Sequence, residues 1–137
     1  MARILAIDYG KKRTGLAETD DLQIIASGLT TVDTSSLFDF IAKYLRENQV
    51  EKFVVGYPLR LNGEKSETTL MVESFSEKLL KKFPTIPIQM VDERLTSQMA
   101  FNVMIESGIS KKKRRNKGLI DKISATIILQ SYLEQNN

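Results

Sequence analysis

The feature that most constrains this chain is an alternation of short apolar runs with segments of helical period. Ile4-Leu5-Ala6-Ile7, Lys52-Phe53-Val54-Val55-Gly56 and Ile86-Pro87-Ile88-Gln89-Met90-Val91 read as strands. Between the first two, Leu37, Ile41 and Leu45 follow the cap candidates Asp33, Thr34 and Ser35 at helical spacing. Val72, Phe75, Leu79 and Phe83 repeat that spacing from about Ser66 to Phe83, and Pro84 stops the helix. Strand–helix–strand units are nearly always right-handed and parallel. These three strands therefore share a direction, and their carboxyl ends share one rim.

The remaining segments complete the sheet. Thr14–Thr19 reads as a second strand, Asp20-Asp21 as a turn, and Leu22–Ala26 continuing through Val32 as a third. Connections this short predict an antiparallel meander, with Gly28 at a bend or bulge. Pro87 predicts an edge position for the last strand. Thr96 or Ser97 then caps a helix carrying Ala100, Val103 and Met104, closed by Gly108. A final helix turns Ile120, Ile123, Ile127 and Tyr132 or Leu133 inward. The expected fold is α/β and ribonuclease H-like. It is a mixed five-stranded sheet of order 3-2-1-4-5, with strands 1, 4 and 5 parallel and helices flanking it, as a single domain over residues 1–137.

Composition narrows the chemistry. Apolar residues make up 42% and charged residues 27%, the proportions of a soluble globular protein. Neither a membrane span nor the basic-then-apolar order of a signal peptide is present, and the absence of cysteine fits the cytoplasm. There is also no histidine. Ordinary zinc sites and Cys-His or Ser-His-Asp catalysis are thereby excluded. Any hydrolysis must rely on carboxylates, lysines or water activated by a cation.

Four carboxylates are candidates for such a site. Asp8 ends the first strand, Asp92 and Glu93 follow the fifth, and Asp121 lies near the start of the last helix. Strand alternation points Asp92 and Glu93 to opposite sides, so only one of them faces the rim shared with Asp8. Taken alone, Asp121 would serve the helix dipole. Two like charges about 4 Å apart repel by roughly 4 kcal/mol at the effective dielectric of protein surfaces, so converging carboxylates call for a cation. An all-oxygen donor set favours Mg2+ or Mn2+.

Charge is unevenly spread. Six of the seven residues Lys111-Lys112-Lys113-Arg114-Arg115-Asn116-Lys117 are basic, and they lead directly into the helix that carries Asp121. Such a run is the usual footprint of phosphate contacts and would bring a polyanion past the carboxylates. The first turn adds Lys11, Lys12 and Arg13 between Gly10 and Gly15, with the glycines read as backbone close to a phosphate.

Four ordered motifs carry a family resemblance. They are Asp8-Tyr9-Gly10-Lys11-Lys12-Arg13-Thr14-Gly15-Leu16-Ala17, Val54-Val55-Gly56-Tyr57-Pro58 with Asn62-Gly63, Asp92-Glu93-Arg94-Leu95-Thr96-Ser97 with Ala100, and Lys117-Gly118-Leu119-Ile120-Asp121-Lys122 with Ala125 and Ile128-Leu129-Gln130. The chain resembles, over nearly its whole length, the YqgF/RuvX family of ribonuclease H-like proteins, described as pre-16S rRNA nucleases or Holliday junction resolvases. The resemblance implies a nuclease site at Asp8, Glu93 and Asp121 holding Mg2+ or Mn2+, with Asp92 as a possible substitute for Glu93. Lys12, Arg13 and Arg94 would hold the scissile or a neighbouring phosphate, and Lys111, Lys112, Lys113, Arg114, Arg115 and Lys117 the backbone beyond it. The implied partner is precursor rRNA or branched DNA, with the ribosomal small-subunit precursor as a possible assembly partner, no membrane, and a monomer or homodimer.

The chain departs from the pattern in places. Resolvases of the wider superfamily carry an acid at the end of the fourth strand, where Tyr57-Pro58 follow Gly56 here. Gly28 and Ser124-Ala125 replace a proline and paired alanines. Two other readings remain at this stage. Asp8-x-Gly10-x4-Gly15 is also similar to the first phosphate loop of actin-like ATPases, which need two such domains. A non-catalytic RNA-binding factor in ribosome assembly would bind RNA without cleaving it.

Overall fold

The computed structural model describes residues 2–93 and 117–136. Three strands open the chain: β1 (Arg3–Asp8), β2 (Arg13–Thr19) and β3 (Ala26–Asp33). A single 3-10 turn, Thr34–Ser36, leads into helix α1 (Leu37–Glu47). Strand β4 (Val50–Tyr57), helix α2 (Glu67–Lys82), strand β5 (Ile88–Asp92) and helix α3 (Lys117–Gln135) follow. The sheet order is β3-β2-β1-β4-β5; β1 pairs antiparallel with β2, and β4 pairs parallel with both β1 and β5. The expected topology is thus present, and Pro87 precedes an edge strand. The expected helix with Ala100, Val103 and Met104 lies outside the described residues.

Strand alternation divides the core into two layers. Leu5, Ile7, Leu16, Phe53 and Val55 face α1 and α2, where Leu37, Ile41, Phe75 and Leu79 meet them. Ile4, Ala6, Ala17, Val54 and Val91 face α3, against Ala125, Ile128, Leu129 and Tyr132. The α3 layer uses alanines on β1 and β2, so that helix lies close over the sheet.

Several sequence expectations are corrected. Residues Leu22–Ile25 are not strand, because Asp20 Oδ1 accepts the amides of Ile24 (2.8 Å) and Ile25 (2.9 Å) and Gln23 has φ 58°. In α1, Leu45 is half-buried against the core with Leu37 and Ile41, and Tyr44 is buried as well, its hydroxyl donating to Glu18 at 2.6 Å. In α3, Ile120 and Ile123 are half-buried, and Ser124, Ala125 and Ile128 sit inside. Gly28 does mark a bulge: the β2–β3 register slips between Leu16 and Ala17.

Ser66 caps α2 reciprocally with Thr69, whose hydroxyl also donates to the Pro58 carbonyl. This ties the helix start to the loop leaving β4. Ser66→Ala should lower stability by about 1 kcal/mol, read from a shift in urea midpoint at unchanged slope.

Candidate active site at the carboxyl rim

Asp8 is the last residue of β1, on the side of the sheet that Ile4 and Ala6 present to α3. Its two flanking strands both carry glycine there. Across β2 it pairs with Gly15, and on β4 the next residue after the Ile7–Val55 pair is Gly56. These glycines set the site. A methyl group at Gly15 would run into the main-chain carbonyl of Asp121, and one at Gly56 would overlap the Glu93 carboxylate and come within 2.6 Å of Ile128 Cδ1.

Glu93 reaches that place because β5 ends one residue before it. Tyr57 pairs with Asp92, and the Glu93 amide donates to the Tyr57 carbonyl at 3.2 Å. Val91 faces α3, so alternation puts Glu93 on the same side. Asp92 points the other way and is exposed. Of the two candidates, Glu93 is the one hydrogen-bonded to Asp8.

Asp121 stands on the fifth residue of α3, over Gly15, and its Oδ2 is 3.3 Å from Arg13 Nε. A helix one turn along, rather than its first turn, therefore supplies this carboxylate. Among the described residues no three carboxylates converge at metal-ligand spacing. The preformed unit is the Asp8–Glu93 pair, with Asp121 beside it and drawn toward Arg13.

The electrostatics follow from that arrangement. Burial pushes the Asp8 carboxyl well above the usual carboxylate range, and Glu93 and then Asp121 push it further. Burial also raises Glu93, offset in part by its hydrogen bond with Asp8. Burial and the neighbouring acid both disfavour a second negative charge on this pair when no cation is there. The two carboxylates in contact offer oxygen donors, the kind that hard divalent ions take, while Asp121 leans on Arg13.

The basic residues are placed unevenly. Lys12 is exposed at the rim, its carbonyl accepting the Thr34 amide, and Arg13 is half-buried beside Asp121. Arg94, Lys111, Lys112, Lys113, Arg114 and Arg115 lie outside the described residues, and Lys117 begins α3. The sequence reading missed the space-making of Gly15 and Gly56. The signal was available: both fall on strand positions beside Asp8 where any side chain would fill the site. Gly10 and Gly15 abut protein carbonyls, those of Arg13 and Asp121, rather than a phosphate-binding surface.

This sheet with its rim of carboxylates defines a protein of the RuvC-like ribonuclease H fold. Thermus thermophilus RuvC, solved with a Holliday junction substrate, matches 100% of this chain and 97% of its own at TM-score 0.59 and 14% identity. Fowlpox virus resolvase, solved with Holliday junction DNA, matches 98% of each chain at TM-score 0.59 and 13% identity. Within that fold, residues 2–135 match the RuvX family, described as "Holliday junction resolvase", and the chain belongs to it. Proteins named "Putative pre-16S rRNA nuclease" are similar along nearly their whole length. The one from Phocaeicola vulgatus is 58% identical over 134 residues (98% of this chain, 96% of that one), and the one from Porphyromonas gingivalis is 57% identical over 134 residues (98% and 97%).

Proposed function

We propose that this chain is a cation-dependent nuclease that processes the 5′ end of precursor 16S rRNA, acting as one domain in the cytoplasm. The observation that carries the reading is the half-buried, hydrogen-bonded Asp8–Glu93 carboxylate pair at the rim, with Asp121 beside it, in a chain more than half identical to the relatives named for that substrate. Asp8, Glu93 and Asp121 would hold Mg2+ or Mn2+. When bound, the ion supplies an activated water and stabilises the charge that builds on the phosphodiester oxygens.

The remaining groups bind and orient. Lys12, Arg13 and Arg94 hold the scissile or a neighbouring phosphate, and the basic residues of 111–117 hold the backbone beyond it. Arg13 has a second task, because its guanidinium neutralises Asp121. No helix of the described residues is long and apolar enough to cross a membrane. A monomer suffices for trimming one strand; cutting both strands of a junction calls for a dimer with two sites.

The family description favours junction cleavage as the second reading. One assay tests both: purified chain with Mn2+, offered precursor rRNA and a four-way DNA junction side by side. Cleavage of the rRNA at its 5′ processing site supports the proposal, preferential cutting of the junction supports the second reading, and salt-sensitive RNA binding without cleavage overturns both.

The raised Asp8 carboxyl fixes the sign of the pH dependence. Protonated Asp8 cannot ligate, so at limiting Mg2+ cleavage should rise with pH through the elevated Asp8 pKa, above the ordinary carboxylate range. Raising Mg2+ to saturation should move the profile toward acid. A profile that ignores Mg2+ would contradict the assignment.

A further inference from the structure

The rim has a second face. Asp8 points toward α3, but the next residue, Tyr9, packs into the opposite layer, against α1 and α2. There it stacks on Phe75 with centroids 4.5 Å apart and planes 18° from parallel, and Phe38 leans on Phe75 at 5.6 Å. These three rings wall an open cavity of about 190 Å³ between the start of α1 and the middle of α2. Ser74 and Lys78 stand at its edge, and Lys82 lies over the Phe38 ring at 5.1 Å. No acidic side chain is among the described residues that line it.

We infer that this cavity binds one unstacked nucleobase of the strand whose phosphate Lys12 and Arg13 hold beside Asp8, so that the site selects a single-stranded or unpaired nucleotide beside the cut. The inference rests on the nuclease reading above and adds to it the form of the substrate. Four features carry it. The partly exposed rings of Tyr9 and Phe38, backed by the buried Phe75, offer the aromatic contact that any base accepts, whatever its identity. The volume lies below the roughly 300–1,000 Å³ of cavities that enclose drug-sized ligands, which suits one ring system. The hydroxyl of Ser74 and the ammonium of Lys78 can meet a base edge, while Lys78 and Lys82 attract the flanking phosphates. Finally, Tyr9 and Asp8 are sequence neighbours, with Cα atoms about 3.8 Å apart, so a strand crossing the end of β1 can leave its phosphate on one face and turn a base onto the other. A paired, stacked base cannot reach the cavity without leaving the helix.

The test is a short single-stranded RNA carrying one 2-aminopurine, moved along the strand position by position, titrated with the full chain in EDTA so that nothing is hydrolysed. Stacking on the rings should quench fluorescence at one position and leave the others nearly unchanged. Phe38→Ala should abolish that quench and weaken binding between about fivefold and a hundredfold, the range for loss of one base–aromatic stack. An abasic nucleotide at the same position should weaken wild-type binding by the same factor and have no further effect on Phe38→Ala. That last comparison needs only the wild-type chain and a changed RNA for its first half, so it survives any folding defect in the variant. RNA that binds with equal signals at every position, or an abasic penalty that persists in Phe38→Ala, overturns the base cavity and leaves the nuclease reading standing. Failure of any strand to bind overturns both.

Discussion

Asp8→Asn should abolish cleavage, leave RNA binding within a few-fold of normal, and make the cation-free protein more stable. The first effect follows from losing an anionic oxygen ligand: a divalent ion supplies several kcal/mol of transition-state stabilisation, and each 1.36 kcal/mol is tenfold, so a loss of about a thousandfold or more is expected. The third effect follows from linkage. The Asp8 carboxyl is raised in the folded state by burial and by Glu93. A group raised in this way contributes stability below its unfolded pKa and loses it as pH rises through the folded value. At neutral pH the cation-free site therefore strains the fold, and an amide that is neutral at every pH removes the strain.

The two proteins should then respond oppositely to Mg2+. Wild type gains RT ln(1 + [Mg2+]/Kd) of stability, whereas the variant gains little. Thermal melts at neutral pH, with and without Mg2+, check this directly. Asp8→Asn should melt several degrees above wild type in EDTA, and the gap should close or reverse as Mg2+ is added. A variant that melts lower in EDTA would mean that Asp8 is a stabilising turn residue rather than one of a repelling pair.

Much of this site is legible from strand periodicity. The apolar runs at Ile4–Ile7 and Phe53–Val55 locate β1 and β4, and the short connections fix the meander; together they place Asp8 on the rim beside the end of β5. Alternation alone says that one of Asp92 and Glu93 faces the site. Deciding which requires knowing that Val91 belongs to the α3 layer, a fact of tertiary packing. The same limit applies elsewhere. Leu22-Gln23-Ile24-Ile25 has the composition of a strand, but the Asp20 carboxylate captures two of its amides and leaves Leu22, Ile24 and Ile25 exposed. Tyr44 joins the core beside the half-buried Leu45 because a hydroxyl partner, Glu18, waits 26 residues away in sequence. Local pattern does not carry such pairings. In α3 an apolar count finds Ile127, Tyr132 and Leu133, which are buried, but overlooks Ser124 and Ala125, which build the same face where Ile120 and Ile123 are only half-buried.

The two glycines that flank Asp8 should fail in different ways when replaced by alanine. At Gly56 the added methyl meets the end of a side chain, the Glu93 carboxylate, together with Ile128 Cδ1. A carboxylate can swing aside, so the cost in stability should be modest, about 1 kcal/mol. Catalysis tolerates displacement poorly: moving a reacting group by about 1 Å can cost a hundredfold, so Gly56→Ala should lose about that factor in cleavage while still folding. The Mg2+ concentration for half-maximal activity should rise as well. At Gly15 the methyl meets main chain, the carbonyl of Asp121 within the helix α3. That atom can retreat only if α3 lifts from β2, so Gly15→Ala should lose about 3 kcal/mol, the upper part of the overpacking range, and melt roughly 10 °C lower. Melting curves and cleavage rates on the two variants separate the cases. Equal losses of stability would mean that Glu93 is held as rigidly as the helix. Full activity in Gly56→Ala would remove the argument that glycine on β4 makes room for the carboxylate delivered from β5.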